Sequence, residues 1–150
     1  MRSNFQSLKL IHRGLAKKNF KENTLNAFRY CFKKKYGIET DLHTTRDNEI
    51  ICFHDFSLKK FKSSKLIKNT NYNEIKVIAG KFNVDIPKLI DLIKISKRKF
   101  LMLEIKSNFS KKNLINLVKL TKKLKKFCIT SFNEKNIKNI YKIKKNLNLG

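Results

Sequence analysis

A chain of 150 residues with 41% apolar content is the length of one domain and can bury a core of its own. Its 36 Lys plus Arg against 11 Asp plus Glu give a formal charge of +25, nearly all Lys, spread along the chain beside Asn and Ile. No arginine-rich stripe, helix-turn-helix pattern or aromatic-interleaved RNA-binding motif accompanies that charge. It therefore favours a small anionic substrate, and no specific nucleic-acid partner is expected.

The elements alternate strand and helix. Residues 8–12 form a short apolar strand ending at His12-Arg13-Gly14. Residues 24–36 carry Leu25, Phe28, Cys31 and Phe32 at helical spacing, and Gly37 supplies a stop. Strands over 38–43 and 50–54 follow, joined through Thr44-Thr45-Arg46-Asp47-Asn48, where Asn48 suits a left-handed turn position. Residues 56–85 are polar and irregular, a small insertion with one helical turn at 74–79. Pro87 opens a helix through Leu89, Ile90 and Ile93, and 100–105 is the fourth strand. Leu114, Leu117, Val118 and Leu124 make the buried stripe of a Lys-coated helix, and 127–130 is the fifth strand. Asn133 caps a last helix through Ile137, Ile140 and Tyr141.

Consecutive βα units with polar clusters at strand ends predict a parallel α/β fold of the TIM-barrel kind. Five strands are visible where such a barrel has eight and runs to about 250 residues. A sixth would begin at Asn146-Leu147-Asn148-Leu149-Gly150. Five strands alone leave open edges and an apolar interior, which predicts closure by self-association or by a second polypeptide.

Cys31, Cys52 and Cys128 are odd in number, widely spaced and set among apolar residues. They read as reduced thiols, which points to a cytoplasmic protein. Cys52 and His54 alternate onto one strand face, but no further Cys or His stands nearby to complete a zinc tetrahedron. Residues 1–8 lack the apolar core of a signal peptide, and no run is long enough for a transmembrane segment.

The chemistry-bearing residues gather at the strand ends: His12-Arg13-Gly14, Glu39-Thr40-Asp41, His54-Asp55 and Glu104-Ile105-Lys106. Glu39 and Asp41 share a strand face, as do Glu104 and Lys106. Three carboxylates offer all-oxygen ligation, which selects a hard divalent cation, Mg²⁺ or Ca²⁺, over zinc. His12 and His54, both at strand ends, can serve as general acid and base on opposite sides of a phosphodiester. Arg13 can fork onto phosphate oxygens, and Lys106 can add a point charge to the same group. His43 is a supporting or structural residue. Asp55 either orients a neighbour or begins the loop. Glu22-Asn23-Thr24 precedes a helix and can cap it, or Asn23 can hydrogen-bond within the site.

The series His12-Arg13-Gly14, Glu22-Asn23-Thr24, Gly37-Ile38-Glu39-Thr40-Asp41, Thr45-Arg46-Asp47, His54-Asp55, Ile86-Pro87-Lys88-Leu89, Glu104-Ile105-Lys106 and Ser131-Phe132 resembles the glycerophosphodiester phosphodiesterase family. The resemblance implies a TIM barrel of the phosphodiesterase superfamily with a small insertion after the third strand. It also implies cation-dependent hydrolysis of small glycerophosphodiesters to glycerol 3-phosphate and an alcohol, within glycerophospholipid metabolism. In that family Glu39, Asp41 and Glu104 would ligate the cation, His12 and His54 would form the acid–base pair, and Arg13 and Lys106 would hold the phosphate. Lys21, Asn48 and Lys88 depart from the family's usual Pro, Gly and Thr. Two other functions fit the same residues: a truncated, non-catalytic remnant that binds phosphate through its basic charge, and a phosphodiesterase acting on lysophospholipids or phosphoinositides.

Overall fold

The computed structural model describes residues 9–150. Leu8, the first residue of the strand expected over 8–12, and the whole 1–8 segment of the signal-peptide expectation lie outside the described residues. Among the described residues, no helix is long and apolar enough to cross a membrane.

The strands are β1 (Leu10–Ile11), β2 (Gly37–Thr44), β3 (Ile50–Cys52), β4 (Leu101–Ile105) and β5 (Phe127–Thr130). β1, β2, β4 and β5 lie in that order, and each neighbouring pair is parallel. β2 is buried along its whole length, as expected of a strand covered on both faces. Its residues alternate: Ile38 and Leu42 join a core with Phe28, Leu92, Leu101, Leu103, Leu117, Ile129 and Ile140, while Glu39, Asp41 and His43 take the other face.

β3 departs from the βα pattern. It pairs antiparallel with β2, with Leu42 opposite Cys52 and Thr44 opposite Ile50. The connection over 45–49 is too short for a crossover, so it can only turn back on itself. Asn48 takes the left-handed conformation expected of it, at φ 63°. Strand pairing stops at Cys52, although the Phe53 N–H still donates to the Asp41 carbonyl at 2.9 Å, and His54 is left on the following loop. Among the described residues the parallel strands thus number four, with β3 forming a hairpin. At the far edge Leu149 bridges Ile129 in parallel, so the segment expected to begin a sixth strand does pair beside β5.

The helices are α1 (Leu25–Lys33), α2 (Tyr72–Gly80), α3 (Leu89–Ser96), α4 (Lys111–Thr121) and α5 (Glu134–Ile143). α1 starts where Thr24 Oγ1 accepts the Ala27 N–H and buries Ala27, Phe28, Cys31 and Phe32. It stops earlier than expected, turning at Lys35 with φ 65°. Gly37 instead opens β2, where a Cβ would come within 2.7 Å of the Leu10 side chain and 2.9 Å of the Phe100 carbonyl. Pro87 also lies outside its helix, its carbonyl accepting the Cys52 N–H at 2.9 Å. Ser110 and Asn133 cap α4 and α5 through their side chains. Ile140 is buried on α5, whereas Tyr141 faces outward.

Residues 56–85 hold more structure than their composition suggests. Two 3₁₀ turns, Lys59–Phe61 and Ile67–Asn69, and α2 surround a separate small core of Phe53, Leu58, Phe61, Ile67, Tyr72, Ile75 and Ile86. The Tyr72 hydroxyl donates to the Ile86 carbonyl at 2.9 Å and ties the start of α2 to the chain just beyond the segment.

Candidate active site

The strand register builds the centre of the site. β2 and β4 place Asp41 directly opposite Glu104, and alternation puts Glu39 on the same face as Asp41. Oxygens of Glu39, Asp41 and Glu104 lie within 4.8 Å of one another. Like charges opposed across strands are destabilising unless something positive is interposed.

Two cations are built in. Lys106 Nζ lies 2.8 Å from Glu104 Oε1 and 3.8 Å from Asp41 Oδ1. Arg13 Nε is ion-paired to Asp41 Oδ2 at 3.1 Å, and Arg13 Nη1 donates to Glu22 Oε2 at 2.8 Å. Arg13 sits in a 3₁₀ turn, His12–Gly14, with φ 50°, which lets its own N–H donate to Glu39 Oε2 at 3.2 Å. Gly14 follows with φ 72°, where a Cβ would strike the Phe28 ring at 2.8 Å.

One carboxylate oxygen remains without a partner. Glu39 Oε1 is buried with no hydrogen-bond partner. Burial, reinforced by Asp41 and Glu104, pushes the Glu39 carboxyl up to about 7. An orphaned carboxylate oxygen facing two more carboxylates is what a hard divalent cation requires, and the residues present fit one. Cys52 and His54, by contrast, assemble no zinc site: the carboxylate trio is the cluster of potential ligands found among the described residues.

The raised Glu39 carboxyl has a measurable consequence. Its own contribution favours the folded state below the ordinary carboxylate range and is lost as pH rises through about 7. His43, whose pKa burial lowers, works in the opposite sense. Side-chain carboxyl NMR of the cation-free protein should therefore show Glu39 titrating near 7, and added Mg²⁺ should pull that midpoint down. A Glu39 midpoint indifferent to Mg²⁺ and Ca²⁺ would remove it from the cation site.

The histidines differ in setting. His12 is largely exposed, with Nε2 3.8 Å from Glu39 Oε2. His54 donates through Nδ1 to Asp55 Oδ1 at 2.7 Å, an arrangement that leaves Nε2 as its proton-accepting nitrogen. His43 is buried and donates through Nε2 to the His54 carbonyl at 3.0 Å, with Phe56 edge-on at 4.9 Å. It thereby tethers the backbone that carries His54. Asn23, left-handed at φ 55°, donates to Asp41 Oδ2 at 3.0 Å and accepts from Thr40 Oγ1 at 2.7 Å. The capping role falls to Thr24, and Asn23 holds Asp41 in place. A cleft of about 560 Å³ opens beside the cluster, walled by His43, Phe56, Leu66, Lys68, Lys106 and Asn133.

Three contributors escaped sequence reasoning. Glu22 reads only as part of a segment that can cap a helix, Thr40 has no role assigned from its position, and Lys60 is one lysine in a chain crowded with them. Each acts through a partner distant in sequence, and no local spacing marks such a contact.

The model of the glycerophosphoryl diester phosphodiesterase family matches residues 12–148. The chain belongs to this family. Human lysophospholipase D GDPD1 is 34% identical over 82 residues, which is 53% of this chain and 26% of that protein. A phosphodiesterase from Oleispira antarctica, solved with its product sn-glycerol-3-phosphate, superposes with TM-score 0.81 at 21% identity, covering 95% of this chain and 64% of that one. The glycerophosphodiester phosphodiesterase of Thermotoga maritima gives TM-score 0.76 at 24% identity, covering 90% and 58%. This family member thus has the fold of those barrels over less than two thirds of their length.

Proposed function

We propose that this chain carries the catalytic residues for hydrolysis of glycerophosphodiesters to glycerol 3-phosphate and an alcohol, with a Mg²⁺ or Ca²⁺ ion held by Glu39, Asp41 and Glu104. The observation that carries this reading is the convergence of those carboxylates around the unpartnered Glu39 Oε1, between the cations Arg13 and Lys106. The bound cation would supply Lewis-acid polarisation and charge neutralisation at the phosphate.

The chain's own residues supply the rest. Arg13 donates through Nη1 to Glu22, while Nε, 3.1 Å from Asp41 Oδ2, is ion-paired there without a hydrogen bond, and Nη2 remains for a phosphate oxygen. Lys106 adds a point charge to the same group. One of His12 and His54 takes a proton from the attacking water, and the other gives one to the leaving alcohol oxygen. Asp55 fixes the tautomer of His54. The cleft beside Lys106 accommodates the organic part of the substrate. Phe56 and Leu66, 57% and 40% exposed on its wall, favour a lysophospholipid as the second candidate, with its acyl chain against those side chains. The three free thiols suit a reducing compartment, which supports the cytoplasm as the location. Further polypeptide pairing beyond β5, from a second copy or another chain, would complete the barrel.

The test is hydrolysis of glycerophosphocholine against lysophosphatidylcholine, coupled to detection of glycerol 3-phosphate or choline, with Mg²⁺, Ca²⁺ or chelator. Cation-dependent release is expected. Turnover surviving in chelator would overturn the cation assignment. Substrate binding that persists in chelator without turnover, and weakens smoothly with salt, would mark a phosphate-binding protein instead.

A further inference from the structure

Lys60 stands on the 3₁₀ turn Lys59–Phe61 of the insertion, 38 residues along the chain from Glu22. Its Nζ lies 2.8 Å from Glu22 Oε1 and 3.5 Å from Asp55 Oδ2. Each of these carboxylates uses its other oxygen on a site residue. Glu22 Oε2 accepts from Arg13 Nη1 at 2.8 Å, and Asp55 Oδ1 accepts from His54 Nδ1 at 2.7 Å. One ammonium therefore joins two bridging carboxylates whose far ends hold the phosphate-binding arginine and the proton-transferring histidine.

The lysine is itself held. Its Nζ rests 4.3 Å from the Phe53 ring centroid and 5.7 Å from that of Phe61, and its side chain is only 32% exposed. The pairs Lys65–Glu74, Lys94–Asp91 and Lys138–Glu134 differ, because their carboxylates hold no residue of the site. Glu22 shows the strength of the junction. Burial alone would raise its carboxyl, yet hydrogen bonds from Lys60 and Arg13 bring it down to about 2.

We propose that Lys60 is a positioning residue through which the insertion sets the orientation of both Arg13, by way of Glu22, and His54, by way of Asp55. The inference rests on the phosphodiesterase reading of the site. Without the ammonium each carboxylate keeps a single partner and can rotate about it, so the guanidinium and the imidazole lose their shared frame. Misplacement of a reacting group by about 1 Å costs about a hundredfold in rate.

Lys60→Met should lower kcat by about ten- to a hundredfold while the melting-temperature rise on adding Mg²⁺ stays as in the wild type. Lys60→Arg should restore most of the loss, because a guanidinium can fork onto both carboxylates. Lys60→Gln, with a shorter and uncharged amide donor, should fall between them. The second readout is the His54 ring N–H resonance, assigned by its disappearance in His54→Ala. It should shift or broaden in Lys60→Met and return in Lys60→Arg. A kcat within twofold of wild type in Lys60→Met, or an unchanged His54 resonance, overturns the proposal. If the wild type hydrolyses no glycerophosphodiester, the functional reading fails on its own, and the His54 resonance still decides the role of Lys60.

Discussion

Glu104→Gln is expected to abolish both cation-dependent turnover and the rise in melting temperature on adding Mg²⁺ or Ca²⁺, while leaving the cation-free protein at least as stable as the wild type. The two effects have opposite signs for one reason. Glu104 lies in register with Asp41 and within ligand distance of Glu39, so its charge is unfavourable in the empty cluster and useful once a cation is present. Removing a directly opposed like charge relieves about 0.2–1 kcal/mol. Against that, Lys106 exchanges a charged partner at 2.8 Å for a neutral amide oxygen and keeps Asp41 at 3.8 Å. The amide preserves shape and removes a ligand charge, so turnover should fall by about three decades or more, the range of an electrostatic contribution to the transition state. Thermal melts with and without cation, beside steady-state kinetics, separate the outcomes. Wild-type activity would strike Glu104 from the ligand set, and a collapsed cation-free protein would make its role structural.

His54→Ala is expected to lower kcat by about two to four decades, the usual worth of a positioned acid–base group, with KM little changed. The fold should tolerate the change well. His54 lies beyond the paired residues of β3, its ring is 31% exposed, and its backbone carbonyl remains to accept the hydrogen bond from His43. An effect confined to KM would make His54 a binding residue. Equal losses in His54→Ala and His12→Ala would fit an acid and a base acting in one transition state. A much smaller loss for His12, the more exposed of the two, would place the second proton transfer elsewhere.

The site was legible in the sequence to the extent that its geometry follows from strand periodicity. Glu39 and Asp41 two apart on one strand must share a face, and an acid at the end of an apolar strand in an α/β unit must reach the rim where such folds bind ligands. The same local logic gave Asn48 its left-handed turn and Asn133 its cap. It misplaced the ends of α1, because Lys35 has no composition signal for the left-handed conformation, and Gly37 is required by the close approach of Leu10 and Phe100 instead. It also undercounted the structure of residues 56–85, whose apolar residues follow no regular period before α2 and find their partners only in three dimensions.

The amino-acid sequence by itself thus determined the alternation of strands and helices, the family, and the identity of the charged groups at the strand ends. These depend on spacing along a few neighbouring residues. Tertiary structure alone decided that β3 turns back as a hairpin, that Asp41 faces Glu104, that Arg13 is gripped between Glu22 and Asp41, and that Lys60 of the insertion reaches both Glu22 and Asp55. Each of these is a choice of partner between distant segments. It is set by strand register and by which charges burial leaves in need of a counterion, and neither is written in any local window of the chain.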